Sequence, residues 1–116
     1  MYVDNGQANH LIIEAILSKA FATVECETTP KAVLNYTDDK LMTYDAYIVD
    51  YVLAGMDGAE LMSNLRNRGV NAPVIAVSDE LTEEKKELFS KKGFDGFVSK
   101  PFKGPEVYEI LNKLLK

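Results

Sequence analysis

The sequence predicts a single α/β domain built on a parallel β-sheet with helices on both faces. Two observations point there. Short apolar runs alternate five times with helical patterns, as successive βα units do. Most of the runs are nearly continuous in apolar residues, which suits strands covered on both sides. A length of 116 residues fits one domain, residues 1–116, with one core and no need of staples.

The strand candidates are residues 1–3, 23–26, 46–49, 73–77 and 97–99. The first is shorter than the usual ~5–6 residues. That brevity predicts a truncated strand, or a domain excised from a longer protein. The first helix candidate covers residues 7–20, with Leu11, Ile12, Ala15 and Ile16 on one face. The second opens at Thr29-Pro30, an N-cap followed by proline at the first helical position. The third spans residues 59–68, with Leu61, Met62 and Leu65 inward and Gly69 as its stop. Asp57 and Gly58 read as its cap. The fourth runs from near Thr82 to Gly93 and is the most charged, reading as a solvated face with i, i+4 pairs such as Glu87–Lys91. The fifth opens at Gly104-Pro105 and carries a stripe of Val107, Ile110, Leu111, Leu114 and Leu115.

Composition narrows the function. Residues are 47% apolar and 27% charged, which are globular values. A net charge of −5 argues against a nucleic-acid surface. Cys26 is the single cysteine, so no internal disulfide can form and a cytoplasmic setting is expected. No apolar run approaches the ~18 residues of a membrane span, and no signal peptide is visible. Membrane contact is therefore not expected.

In an open parallel sheet, ligands bind beyond the carboxyl ends of the strands. Asp4 and Asn5 follow the first strand, and Asp50 follows the third. Ser78, Asp79 and Glu80 follow the fourth, and Lys100-Pro101 the fifth. Carboxylates, a hydroxyl and an amine thus converge on one edge. Gathered carboxylates repel unless a cation holds them, and oxygen ligands around a small dication suggest Mg²⁺. A carboxylate can also act as nucleophile and form an aspartyl phosphate. Lys100 and Ser78 would then meet the phosphoryl charge.

Four stretches carry a family resemblance. "YIVDYVLAGMDG" (residues 47–58) resembles the strand-three motif of response-regulator receiver domains, the phosphoacceptor modules of two-component signalling. "VIAVS" resembles their strand-four motif, "FVSKPF" their lysine motif, and "VDNGQAN" their first acidic motif. The resemblance covers essentially the whole chain. It implies a (βα)5, flavodoxin-like three-layer fold with strand order 2-1-3-4-5. It implies that Asp50 accepts phosphate from a histidine kinase or histidine phosphotransfer protein. Mg²⁺ would sit on Asp4, Asp50 and the backbone carbonyl of Val52, with Asn5 as a weak ligand. Ser78 and Phe97 would move together as the switch, and the surface of the fourth helix, fifth strand and fifth helix would read the change out. The first motif looks most like receivers fused to hybrid kinases, with an effector domain possible in the parent protein.

Three positions depart from the family pattern. Asn5 stands where a second acid is usual. Two unit charges about 4 Å apart interact by ~4 kcal/mol at an effective dielectric of ~20. If a third of that survives, Mg²⁺ affinity falls about tenfold. Asp79 stands where a small residue is usual, and it either restores charge near the metal, obstructs incoming phosphate, or faces solvent. Ala54 replaces a common proline and loosens the loop. His10, the only histidine, reads as a polar residue near the rim of the site, and Cys26 as a small hydrophobe of the second strand. Two other readings remain. A degenerate receiver would serve as a phosphorylation-independent interaction module. A flavodoxin-like hydrolase would use Asp50 as nucleophile; haloacid-dehalogenase-type phosphatases look similar locally, but they place a second acid two residues past the nucleophile, where Val52 stands here.

Overall fold

The computed structural model describes residues 1–19 and 24–115. Strands β1 (Tyr2–Val3), β2 (Cys26–Glu27), β3 (Tyr47–Asp50), β4 (Val74–Ser78) and β5 (Gly96–Ser99) form one sheet in the order β2-β1-β3-β4-β5. Every pairing is parallel. The helices are α1 (Gln7–Ser18), α2 (Pro30–Leu34), α3 (Asp38–Leu41), α4 (Gly58–Asn67), α5 (Glu83–Lys92) and α6 (Gly104–Leu115). This is the expected flavodoxin-like sheet.

Side chains alternate across a strand, so one sheet serves two cores. Val3, Tyr47, Val49, Val74 and Ala76 pack with Val33 of α2, Leu41 of α3, Leu61, Met62 and Leu65 of α4 and Phe89 of α5. Tyr2, Ile48, Ile75, Val77 and Val98 face the other way, onto Ile13 and Leu17 of α1 and Val107 and Leu111 of α6. Helix caps match the sequence signals. Thr29, Asp57 and Thr82 each accept an N-cap bond, and Gly93 ends α5 in the left-handed conformation at φ 103°.

Some expectations are corrected. The face of α1 that packs inward is Ile13 and Leu17, with the expected Ile16 half-buried beside them, whereas Leu11 is 70% and Ile12 41% exposed and Ala15 is exposed too. The helix is apolar on more than one side, and periodicity alone placed only Ile16 of the four correctly. Its final expected residue, Ala20, lies outside the described residues, as does Thr23 of the expected second strand. That strand's described part sits later, at Cys26–Glu27. Leu115, expected in the α6 stripe, is 45% exposed. Among the described residues the ion pair of α5 is Glu83–Lys86 at 3.6 Å, and the expected Glu87–Lys91 pair is not formed. The region after Thr29-Pro30 divides in two, because Thr37 starts a new N-cap with Asp38 and Asp39 in the first turn.

Two arginines of the α4 C-terminal region fasten the framework. Arg66 donates to the carbonyls of Val70 (2.8 Å) and Ala72 (2.7 Å) and to Asp95 (3.1 Å). Arg68 donates to the carbonyls of Leu34 (2.7 Å) and Tyr36 (2.6 Å) and to Asp38 (2.7 Å). At the other end of α4, Gly58 donates to the Tyr51 carbonyl at 2.7 Å. A Cβ on Gly58 would lie 2.8 Å from the Asp50 backbone oxygen and 3.0 Å from Tyr51 Cα. Backbone cannot yield as a flexible side chain can. Gly58→Ala is therefore expected to destabilise the fold by about 1–3 kcal/mol in urea titrations, and an unchanged midpoint would refute the close approach.

Candidate functional site

The register of the sheet builds the site. Asp50 closes β3 and Ser78 closes β4, each one residue inside the strand rather than after it. Ser78 is level with Ser99 in β5, and the Lys100 amide donates to the Ser78 carbonyl at 2.8 Å. Asp4 follows β1, its amide donating to the Glu27 carbonyl at 3.1 Å. The same edge therefore gathers Asp4, Asp50, Ser78 and Lys100. The first three are buried, at 1%, 6% and 9% exposure.

Lys100 joins the two acids. Its ammonium lies 2.8 Å from Asp50 Oδ2 and 3.4 Å from Asp4 Oδ2. Burial pulls its basicity down, but the hydrogen bond and charge of Asp50, aided by Asp4, raise it above the ordinary lysine value. Burial also pushes the Asp50 carboxyl up, and the Asp4 charge adds to this. Lys100 and the Val52 amide (3.4 Å) oppose the rise without cancelling it.

Asp4 has the opposite balance. Burial raises it, but the Tyr2 hydroxyl, the Gly6 amide and Lys100 together hold it below the ordinary carboxylate value. Tyr2 Oη donates to Oδ2 at 2.5 Å, Gly6 N to Oδ1 at 2.8 Å and Asn9 Nδ2 to Oδ2 at 3.2 Å. Both oxygens are thus engaged by the protein. His10 Nε2 lies 2.6 Å from the Asp4 carbonyl and its ring meets Tyr2 edge-on, which keeps His10 at the rim.

A cleft of about 270 Å³ opens above, lined by Asn5, Asp50, Val52, Ser78, Asp79, Lys85 and Lys100. Asn5 is exposed within it, and the Val52 side chain is 78% exposed, so its type is unconstrained. The Asp79 side chain is 90% exposed and lies 3.7 Å from Lys100 Nζ, and Glu80 is exposed. Ser78 Oγ donates to the Glu80 carbonyl at 2.9 Å. Phe97 is half-buried, its ring centroid 6.3 Å from that of Phe89. Cys26 packs against the α1–α6 core, and burial together with Glu14 pushes its thiol up to about 11. Oxygen donors dominate the cleft: the Asp50 carboxylate, the Asn5 amide and loop backbone, with Asp4 behind. Such a set fits a small hard dication. Among the described residues no three His, Cys, Asp or Glu side chains group as a metal site.

Two contributors escaped sequence reasoning. Tyr2 reads as core in an apolar run, yet its hydroxyl serves Asp4. Lys85 reads as one charge among many, yet its ammonium reaches Ser78 Oγ at 3.3 Å.

A parallel 2-1-3-4-5 sheet with two acids, a serine and a lysine at its carboxyl edge defines a receiver-type signalling domain. The chain belongs to the response regulator receiver domain family, whose model matches residues 1–112. Domains of this family are signalling modules of two-component systems rather than metabolic enzymes. The chain is 28% identical to the chemotaxis protein CheY of Halobacterium salinarum, covering 99% of this chain and 94% of that one. It is 27% identical to the rice two-component response regulator ORR41, over 97% of this chain and 91% of that one. It is also 27% identical to the sensory/regulatory protein RpfC of Xanthomonas campestris pv. campestris, over 98% of this chain. The chain spans 16% of the length of RpfC, 7% of Dictyostelium discoideum hybrid signal transduction histidine kinase I and 14% of rice probable histidine kinase 6. In fold it is similar to the receiver domain of NtrX from Brucella abortus, with TM-score 0.84 and 21% identity over 98% of this chain and 95% of that one. Among the described residues no helix is long and apolar enough to cross a membrane.

The raised Asp50 carboxyl has a stability consequence. Ionising it opposes folding; the penalty is absent at pH below the ordinary carboxylate value and sets in as pH rises through the raised one. Asp50→Asn removes the penalty. The variant is expected to unfold at higher urea than the wild type at neutral pH, with the gain vanishing near ~pH 3. A gain that persisted in acid would contradict this origin.

Proposed function

We propose that this chain is a phosphoacceptor switch in which Asp50 takes a phosphoryl group from a histidine kinase or histidine phosphotransfer protein in the cytoplasm. The observation that carries the reading is the Lys100 ammonium, held 2.8 Å from a buried Asp50 that also lines an open cleft. An Asp50 carboxylate oxygen attacks phosphorus. The P–N bond of the phosphohistidine breaks, and its electron pair leaves with the imidazole nitrogen. Lys100 turns from the carboxylate to the transferred group, and Ser78 exchanges the Glu80 carbonyl for a phosphoryl oxygen. Mg²⁺, when bound, offsets the charge shared by carboxylate and phosphoryl oxygens. Asp50, Asn5 and the Val52 carbonyl would hold it, with Asp4 behind them.

The chain then catalyses its own phosphorylation and slow hydrolysis. Release of Ser78 and inward rotation of Phe97 would alter the surface of α5, β5 and α6, which a partner or an effector domain of a longer parent protein would read. The alternative, a phosphorylation-independent interaction module, draws support from Asn5 and from an Asp4 whose oxygens are already engaged.

Incubation with acetyl phosphate and Mg²⁺, read by intact mass, decides between them. A phosphate adduct is expected in the wild type and absent in Asp50→Asn. No wild-type adduct at high Mg²⁺ would sink the phosphoacceptor reading. Asn5→Asp restores a unit of charge beside the metal, so calorimetry is expected to show Mg²⁺ affinity rising about tenfold. Unchanged affinity would mean that Asn5 is no ligand.

A further inference from the structure

Lys85 is unusually placed for a helical lysine. It occupies the third position of α5, after the Thr82 N-cap, with its amide donating to Thr82 Oγ1 at 3.2 Å. The first turn of a helix carries partial positive charge, so acids are favoured there and a cation is opposed. Glu83 and Glu84 obey that preference and are exposed. Lys85 is half-buried instead, and its ammonium lies 3.3 Å from Ser78 Oγ on the wall of the cleft that holds Asp50.

The charges lining the cleft give this position a purpose. On the lining, Asp50 and Asp79 are matched in number by Lys85 and Lys100, Asn5 contributes none, and Asp4 behind it adds a further carboxylate to Lys100. A phosphoryl group brings a further charge of roughly −1.5 to −2. Lys100 is already committed to two buried carboxylates. The Ser78 hydroxyl donates to the Glu80 carbonyl while Lys85 donates to its oxygen. When that hydroxyl turns to a phosphoryl oxygen, Lys85 can keep its bond to Ser78 and bring an ammonium to the same group.

We propose that Lys85 is a second cationic contact for the phosphoryl group on Asp50, meeting it together with Ser78. This rests on Asp50 being the phosphoacceptor. The bonds made and broken are those of the transfer itself: Asp50 oxygen to phosphorus forms, and the phosphorus bond to the donor's leaving atom breaks, its electron pair departing with the imidazole nitrogen of a phosphohistidine or with the acetate oxygen of acetyl phosphate. Lys85 gives up no proton and forms no covalent bond. It supplies a charge-assisted hydrogen bond that strengthens as the negative charge gathers.

The test compares Lys85→Met, which keeps the stem and loses the charge, with Lys85→Arg and with Lys91→Met on the exposed part of α5. Acetyl phosphate and Mg²⁺ are the probes, and circular dichroism confirms folding. Should Lys85→Met not fold, Lys85→Gln takes its place. The expected labelling rate falls about tenfold in Lys85→Met, recovers most of the way in Lys85→Arg and is unchanged in Lys91→Met. Calorimetry of the unphosphorylated chain is expected to show the opposite sign, with Mg²⁺ bound as tightly or more tightly in Lys85→Met because a repelling cation has gone. A structural role would not weaken one and spare the other. If the wild type labels and Lys85→Met labels within twofold of it, the proposal is overturned and the Asp50 reading stands. Loss of both labelling and Mg²⁺ affinity without rescue by arginine also overturns it. If the wild type takes no phosphate, the Asp50 reading fails and the proposal fails with it.

Discussion

One ammonium group, that of Lys100, lets two buried carboxylates share a sheet edge. An isolated buried charge costs several kcal/mol even after relaxation. Asp4 and Asp50 side by side would add mutual repulsion. Lys100 sits 2.8 and 3.4 Å from them, and both acids find further donors. The opposite directions in which the two carboxyls shift follow from those donors. Asp4 has a hydroxyl, an amide and the ammonium, so its charge is held by the protein. Asp50 has the ammonium and one long amide contact, so its charge is only partly met and remains available to chemistry.

The sheet exists, in functional terms, to hold this arrangement. β1 contributes only Tyr2 and Val3 to the pairing, yet it is bonded on both sides. Tyr2 does two jobs: its ring packs with Phe102 and the α1–α6 core, and its hydroxyl fixes Asp4. In the register of β3, β4 and β5, Asp50 lies level with Val77, and Ser78, one residue further on, lies level with Ser99, so Asp50, Ser78 and Lys100 gather at one edge of the sheet. The loop from Tyr51 returns to α4 through the Gly58 amide, which seats the helix start against the Asp50 backbone.

Much of this was legible beforehand, for a physical reason. A buried parallel strand is a short apolar run, and the polar residue that ends it must lie at the sheet edge. Asp50, Ser78 and Lys100 each end such a run, so their convergence could be read without coordinates. Asp57 and Thr82 were readable because a cap is a local bond within four residues. The misreadings share another cause. Leu11 to Leu17 is apolar on several sides, and only tertiary packing chooses Ile13 and Leu17, with Ile16 beside them, over Leu11 and Ile12. The break between α2 and α3 turns on Thr37, a competent N-cap in mid-segment. Tyr2 and Lys85 were missed because residue type announces a tyrosine as core and a helical lysine as solvated. The atoms that matter lie at the far ends of long side chains, whose direction no periodicity reports.

The Arg68 clamp carries a consequence of a different kind. Two of its three partners, at Leu34 and Tyr36, are backbone carbonyls, which every residue type supplies. The guanidinium therefore holds the turn between α2 and α3 without reading side-chain identity at either position. Arg68 itself is under tight chemical constraint, since lysine could not span the same three acceptors. Divergence among related chains should accordingly concentrate in exposed residues of that turn while the arginine persists. One demanding position thus leaves its neighbours free to drift.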